Sequence, residues 1–153
     1  MTQEVQIDSK WREFAEARCA DVDARLTPAR WAVYTELVAS ARPLSAYELI
    51  ALQESRQGRK IAPLTVYRHL DFLIRVGLVH KIESTHTYVS CGHPDHGHES
   101  QYLLCSNCGR ADEVESETLE RVLNEMADKH GFQTTKSVVE MTGLCVDCST
   151  VEG

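Results

Sequence analysis

Cys105-Ser106-Asn107-Cys108 is echoed forty residues later by Cys145-Val146-Asp147-Cys148. Two Cys-x-x-Cys pairs, with Gly109 after the first and Gly143 before the second, have the spacing of two knuckles that deliver four thiolates to one tetrahedral zinc. Four soft sulfurs leave no position open for water or substrate, so such a site is structural. The stretch 109–144 is then expected to be one small unit clamped at both ends, because metal binding that closes a loop is folding free energy. Two disulfides or four buried thiols are the other reading. The doubled spacing and the rest of the chain favour zinc over a secreted disulfide framework.

The 153 residues have room for one domain or two small ones, each with a modest core that a metal clamp would suit. No apolar run approaches the roughly 18 residues of a membrane span, and the start, Thr2-Gln3-Glu4-Val5, is polar. We therefore expect a soluble, cytoplasmic protein with reduced cysteines and no membrane partner. The net charge of -7 argues against nucleic acid only until it is divided. Residues 1–82 hold 12 Lys and Arg against 10 Asp and Glu, whereas residues 83–153 hold 4 against 13. A weakly basic front can meet phosphates while an acidic back does not, and the asymmetry suggests separate domains.

Outward from the knuckles, the front half reads as helices. Trp11, Phe14, Ala15 and Cys19 recur at helical spacing over 9–20. Thr27-Pro28 is an N-cap followed by a first-turn proline, opening a helix of 28–40 with Trp31, Tyr34, Leu37 and Val38 inward. Ser45 and Glu48 have capping-box spacing and open a helix to about Glu54, which the polar turn 55–60 ends. Pro63 opens a fourth helix over 63–76, stopped by Gly77. Its Val66, Leu70 and Leu73 share one face, so Leu64, Tyr67, Arg68, Asp71 and Arg75 point away. A helix, a turn and a helix with a polar outer face form a helix-turn-helix. Strands at 78–83 and 86–90 around a Ser84-Thr85 turn add a hairpin, giving a winged helix.

The loop 91–100, rich in Gly, Pro and His, marks a boundary. Beyond it we expect strands at 101–105 and 110–114, a helix at 117–130 with the apolar stripe Leu119, Val122, Leu123, Met126 and Ala127, a stop at Gly131, and a strand at 132–142. The fold class is α+β: a winged-helix DNA-binding domain (1–90), a hinge (91–100), and a small α/β dimerisation domain with the four-cysteine zinc site (101–153). Few strands leave exposed edges, which a twin subunit commonly covers, so a homodimer is expected.

His80, Cys91, His98 and Glu113 form a second candidate metal constellation. In a hairpin with a two-residue turn at 84–85, His80 faces Val89 and lies diagonal to Cys91, about 7 to 8 Å away, a gap that side chains can span to one ion. Nitrogen, thiolate and carboxylate donors suit zinc better than iron or manganese, although imidazole and thiolate would also take copper or cobalt. His80 shares its face with Leu78 and Ile82, where a lone histidine is more often a hydrogen-bonded core residue.

The chain closely resembles the ferric uptake regulator family, and within it the zinc uptake regulator branch. The resemblance lies in Arg25-Leu26-Thr27-Pro28-Ala29-Arg30, Ser45-Ala46-Tyr47-Glu48-Leu49, Thr65-Val66-Tyr67-Arg68 with Leu70, Gly77-Leu78-Val79-His80-Lys81, Glu83-Ser84-Thr85, Tyr88-Val89-Ser90-Cys91, both knuckles and His130-Gly131-Phe132. These cover about residues 18–148 in the family's order. The resemblance implies a dimeric, metal-activated repressor of zinc uptake and homeostasis genes that binds palindromic operator DNA. It implies two zinc ions per subunit: a structural one on Cys105, Cys108, Cys145 and Cys148, and a regulatory one on His80, Cys91, His98 and Glu113. His93 or His96 could take the place of His98. Lys136-Ser137-Val138 lacks the histidine that iron sensors carry there, which speaks against a third site.

Base reading would fall to the first turns of the fourth helix, where Arg68 can fork onto guanine, Tyr67 can pack on a thymine methyl and Thr65 can touch phosphate. Arg30, Lys60, Arg68 and Arg75 would neutralise the backbone. Two other readings remain: a family regulator that senses iron, manganese or peroxide, and a zinc hydrolase or deaminase. The latter lacks a His-x-Glu paired with a Pro-Cys-x-x-Cys and leaves the winged helix idle.

Overall fold

The computed structural model describes residues 9–92 and 100–150. Its elements fall in two compact units, Met1–Gly97 and His98–Gly153.

In the first unit α1 (Ser9–Ala20), α2 (Pro28–Ala39), α3 (Ala46–Gln57) and α4 (Pro63–Arg75) pack with a three-stranded sheet of β1 (Leu44–Ser45), β2 (Val79–Ile82) and β3 (Thr87–Ser90), in the order β1-β3-β2. The expected start signals operate. Thr27 accepts the Arg30 N–H at 3.3 Å. Ser45 and Glu48 close a reciprocal capping box, with the Ser45 N–H donating to Glu48 Oε2 at 2.7 Å. Tyr34, Leu49, Leu70, Leu73 and Leu78 are wholly buried, and Trp11, Phe14 and Trp31 close over them.

Three features differ from expectation. The third helix runs to Gln57 rather than Glu54. Arg56 pairs with buried Glu36 of α2, Gln57 donates to Gln53 at 3.1 Å, and the stop is Gly58, left-handed at φ 64°. The hairpin connection is four residues, 83–86, with His86 left-handed at φ 53°, instead of a two-residue turn. Both loops share a centre, so the expected register survives: His80 faces Val89 and Lys81 faces Tyr88. The two-residue β1 is an addition to the expected elements; it pairs Leu44 with Tyr88. At the end of α4, Gly77 adopts φ 77°, and a side chain there would also collide with the Arg18 guanidinium.

The second unit holds a sheet ordered β5-β4-β6, with β4 (Gln101–Cys105) central, antiparallel to β5 (Ala111–Val114) and parallel to β6 (Val139–Gly143). α5 (Glu117–Lys129) is capped by Ser116, and the one-turn α6 (Val146–Ser149) carries the second knuckle. The expected strand over 132–142 begins only at Val139. The reason is that β4 starts at Gln101, whose partner is Val139, so earlier residues have no strand to pair with. Burial is sparse: Gln101, Tyr102 and Cys105 are the buried residues among those described here, and none of α5 is buried.

Candidate metal centres and nucleic-acid face

The first knuckle grows from the end of β4, where Cys105 is followed by a tight turn closed by the Gly109 N–H on the Cys105 carbonyl at 3.0 Å. Gly109, at φ 76°, lets the chain reverse into β5. The second knuckle follows β6, and parallel pairing of Cys105 with Gly143 brings it alongside the first. The Ser106 N–H donates to the Gly143 carbonyl at 2.8 Å and the Cys145 N–H points at Cys105 Sγ at 3.4 Å. The four sulfurs of Cys105, Cys108, Cys145 and Cys148 lie within 4.8 Å of one another, and Cys108 Sγ is 3.8 Å from Cys145 Sγ. A tetrahedron of zinc–sulfur bonds of about 2.3 Å has edges of about 3.8 Å, so the donor set fits that ion. Among the described residues no disulfide competes for these sulfurs.

The local field favours thiolate at Cys105 and opposes it at Cys108 and Cys148. Backbone N–H groups of Cys108, Cys145 and Asn107 converge on Cys105 and bring its thiol down to about 6. Asn107's side chain pulls Cys148 the same way, but Cys145, loss of solvent and the other sulfurs outweigh it and push Cys148 up to about 11. Such sulfurs gain their remaining charge as a metal displaces their protons. Two residues other than the cysteines support the site: Asn107, and Arg110, which reaches Asp112 at 2.7 Å and Asp147 of the second knuckle at 3.6 Å. The signal for this support is an Arg just after the first knuckle and an Asp inside the second.

On the first unit, His80 is half-buried on β2, and Cys91 leaves β3 with its N–H on the Leu78 carbonyl at 2.9 Å. A His80 ring nitrogen and Cys91 Sγ lie within 4.8 Å of each other, so the hairpin register does bring this pair of donors together. Glu113 belongs to the second unit, half-buried on β5, where Ser100 Oγ donates to its Oε1 at 2.8 Å. His98 lies outside the described residues, as do His93 and His96.

The outer face of α4 carries Leu64, Thr65, Tyr67, Arg68, Asp71 and Arg75, all exposed, while Val66, Leu70, Phe72 and Leu73 are buried beneath. Arg30 is placed differently from these. Its guanidinium lies over the Phe72 ring at 3.5 Å and donates to the Arg25 carbonyl at 2.6 Å, so part of it is spent inside the unit. Tyr47, on α3, is 73% exposed, and nothing in its sequence spacing marks it as a surface residue. Among the described residues no helix is long and apolar enough to cross a membrane.

The model of the ferric uptake regulator family matches residues 21–142. The chain belongs to the ferric uptake regulator family. Within this family it is 40% identical over 139 residues to the zinc uptake regulation protein of Escherichia coli K12, spanning 90% of this chain and 81% of the relative. Its backbone is similar to that of a zinc uptake regulator complexed with zinc and DNA, at TM-score 0.87 and 37% identity over 95% of this chain and 98% of that one. It is likewise similar to holo XcZur, at TM-score 0.82 and 37% identity over 93% and 98%.

Proposed function

We propose that this chain is a zinc-responsive transcriptional repressor that binds palindromic operator DNA as a homodimer when a regulatory zinc is in place, and so controls zinc uptake and homeostasis genes. It is a regulator and not an enzyme, as its family membership implies. The observation that carries the reading is the exposed α4 face of Thr65, Tyr67 and Arg68 in a chain that follows, almost end to end, the backbone of a regulator complexed with zinc and DNA.

In this reading Arg68 forks onto a guanine, Tyr67 packs on a thymine methyl and Thr65 takes a phosphate. Arg30, steadied by Phe72, offers its remaining donors to the backbone. Each subunit takes two zinc ions. Cys105, Cys108, Cys145 and Cys148 hold the structural one. His80, Cys91, His98 and Glu113 take the regulatory one, and the thiolate of Cys91 favours zinc over iron or manganese.

Two of these regulatory donors belong to the wing and one to the C-terminal unit, so residues 91–100 act as a hinge between a DNA-binding domain (1–90) and a dimerisation domain (101–153). An ion taken by all four limits the hinge. Two recognition helices must sit about 34 to 36 Å apart to read one turn of a palindrome. A hinge free to sample other arrangements lowers the competent fraction and raises the apparent Kd in proportion. By linkage, DNA tightens zinc by the same factor. The homodimer is supported by α5, whose Val122 and Met126 are half exposed on a helix with no fully buried residue. Thiolate sites of this kind suit the reducing cytoplasm.

Operator binding by fluorescence anisotropy, with zinc, iron and manganese titrated separately, tests the reading. The wild-type chain is expected to bind tightly with zinc alone. Cys91→Ser is expected to stay dimeric and lose that response. A zinc response unchanged by Cys91→Ser would remove Cys91 from the sensing site.

A further inference from the structure

One side chain spans the connection between α3 and α4. The Gly58 N–H donates to the Glu54 carbonyl at 2.9 Å and ends α3 at that left-handed glycine. The Glu54 carboxylate then reaches forward over the turn. The Ile61 N–H donates to Oε1 at 2.9 Å, and Lys60 Nζ donates to Oε2 at 3.2 Å. The Ile61 N–H first, and then Lys60, hold this carboxyl below its ordinary range, so it is an anion at neutral pH.

Both contacts bear on the reading of DNA. α4 starts at Pro63 behind Ala62, whose side chain makes no cap, so the direction of α4 depends on the residues that lead into it. Ile61 is fixed twice, by its side chain against the apolar core and by its N–H on Glu54. Thr65, Tyr67 and Arg68 follow directly on the outer face. The Lys60 side chain is 95% exposed, so its pair with Glu54 is screened and contributes little stability. Its effect is on charge. A free lysine finds a phosphate in any register along a duplex, and such contacts carry no sequence information. A lysine held by a carboxylate gives up part of that attraction.

We propose that Glu54 is a specificity-determining positioning residue: it fixes the approach to the recognition helix through Ile61 and restrains Lys60, so that operator DNA is preferred over unrelated DNA. The inference rests on α4 being the helix that reads DNA. Attraction that any sequence would receive is reduced beside the helix, while the groups that read bases are held in one direction.

The test uses the full-length, zinc-loaded chain and two labelled duplexes, one selected by the wild type from a randomised pool and the other a scramble of it. Glu54→Gln keeps an oxygen for the Ile61 N–H and loses the charge. It is expected to tighten binding to the scrambled duplex about 5-fold and to steepen its salt dependence by about 0.9 per subunit, the equivalent of one further phosphate contact. In that background Lys60→Met should cancel both changes, and it should cost more there than in the wild type. Glu54→Ala loses the oxygen as well, and should bind the selected duplex about 10-fold more weakly than Glu54→Gln does, the size of one misdirected base contact. Where Glu54→Ala does not fold, Glu54→Gln with and without Lys60→Met decides. Scrambled-duplex affinity and salt slope unchanged by Glu54→Gln would overturn the proposal, as would equal binding of the selected duplex by Glu54→Gln and Glu54→Ala. If the wild type selects a duplex and both variants discriminate as well as it does, only this inference fails. If the wild type enriches no duplex from the pool, the DNA-reading role of α4 fails and takes the inference with it.

Discussion

The two units stabilise themselves by opposite means. The first buries a continuous apolar core from Ala15 to Tyr88 beneath two capped helices. In the second, Tyr102 and Cys105 are the buried hydrophobics among the described residues, and α5 keeps Val122 and Met126 half exposed. A unit of this size with so little interior cannot supply folding free energy from burial alone. Four sulfurs that meet at one point are what it has instead. The first unit thus has a core that needs no metal, whereas the second has a cluster of metal-ligating sulfurs in place of one.

The largest effect that could break this contrast comes from stripping zinc or from Cys105→Ser. Either is expected to abolish amide protection across 101–149 and lose the dimer, seen by hydrogen exchange and elution volume, while 28–90 keeps its protection. A second unit that stays protected would refute the metal's role. Next in size is Leu70→Ala, which opens a cavity where no surface is exposed. It should cost the first unit about 2–5 kcal/mol in denaturant unfolding and leave the four-cysteine zinc content unchanged. Met126→Glu, on the exposed stripe of α5, should weaken the dimer by at least tenfold in sedimentation while the first unit melts as before. An unaffected dimer would move the subunit interface off α5.

The smallest effect sharpens the picture of the first unit. Ser45→Ala removes the α3 cap and should cost about 1 kcal/mol. Glu48, its partner in the capping box, is held down to about 2 by Arg42 and the Ser45 N–H. A lowered carboxyl stabilises the fold above its unfolded value of about 4.3, and that contribution is lost as pH falls toward 2. Glu48→Gln should therefore flatten the acid limb of first-unit stability between those values, read from melts at several pH values. An unchanged limb would mean that Glu48 does not anchor the helix.

What the sequence disclosed follows the same contrast. Thr27-Pro28, Ser45 with Glu48, and Gly77 are local devices, so the helices of the first unit and the hairpin register are legible from the order of residues alone. Local signals do not reach β1, two residues long and defined only by pairing with β3. They mislead at 132–138, where strand formation depends on the length of β4 rather than on the segment itself. The four-cysteine centre is legible because its spacing is its chemistry. The pairing of His80 with Cys91 follows from register. The place of Arg30 on Phe72 and the unpaired hydroxyl of Tyr34 depend on how helices pack, which no spacing in the sequence records.

The central claim, that one zinc builds the second unit and another licenses DNA binding, is tested most directly by adding zinc stepwise to metal-free protein while recording fold and operator binding together. The account predicts that the first equivalent per subunit restores helix and dimer without DNA binding, and that the second brings tight operator binding. Full operator binding at the first equivalent, with nothing further at the second, would contradict it.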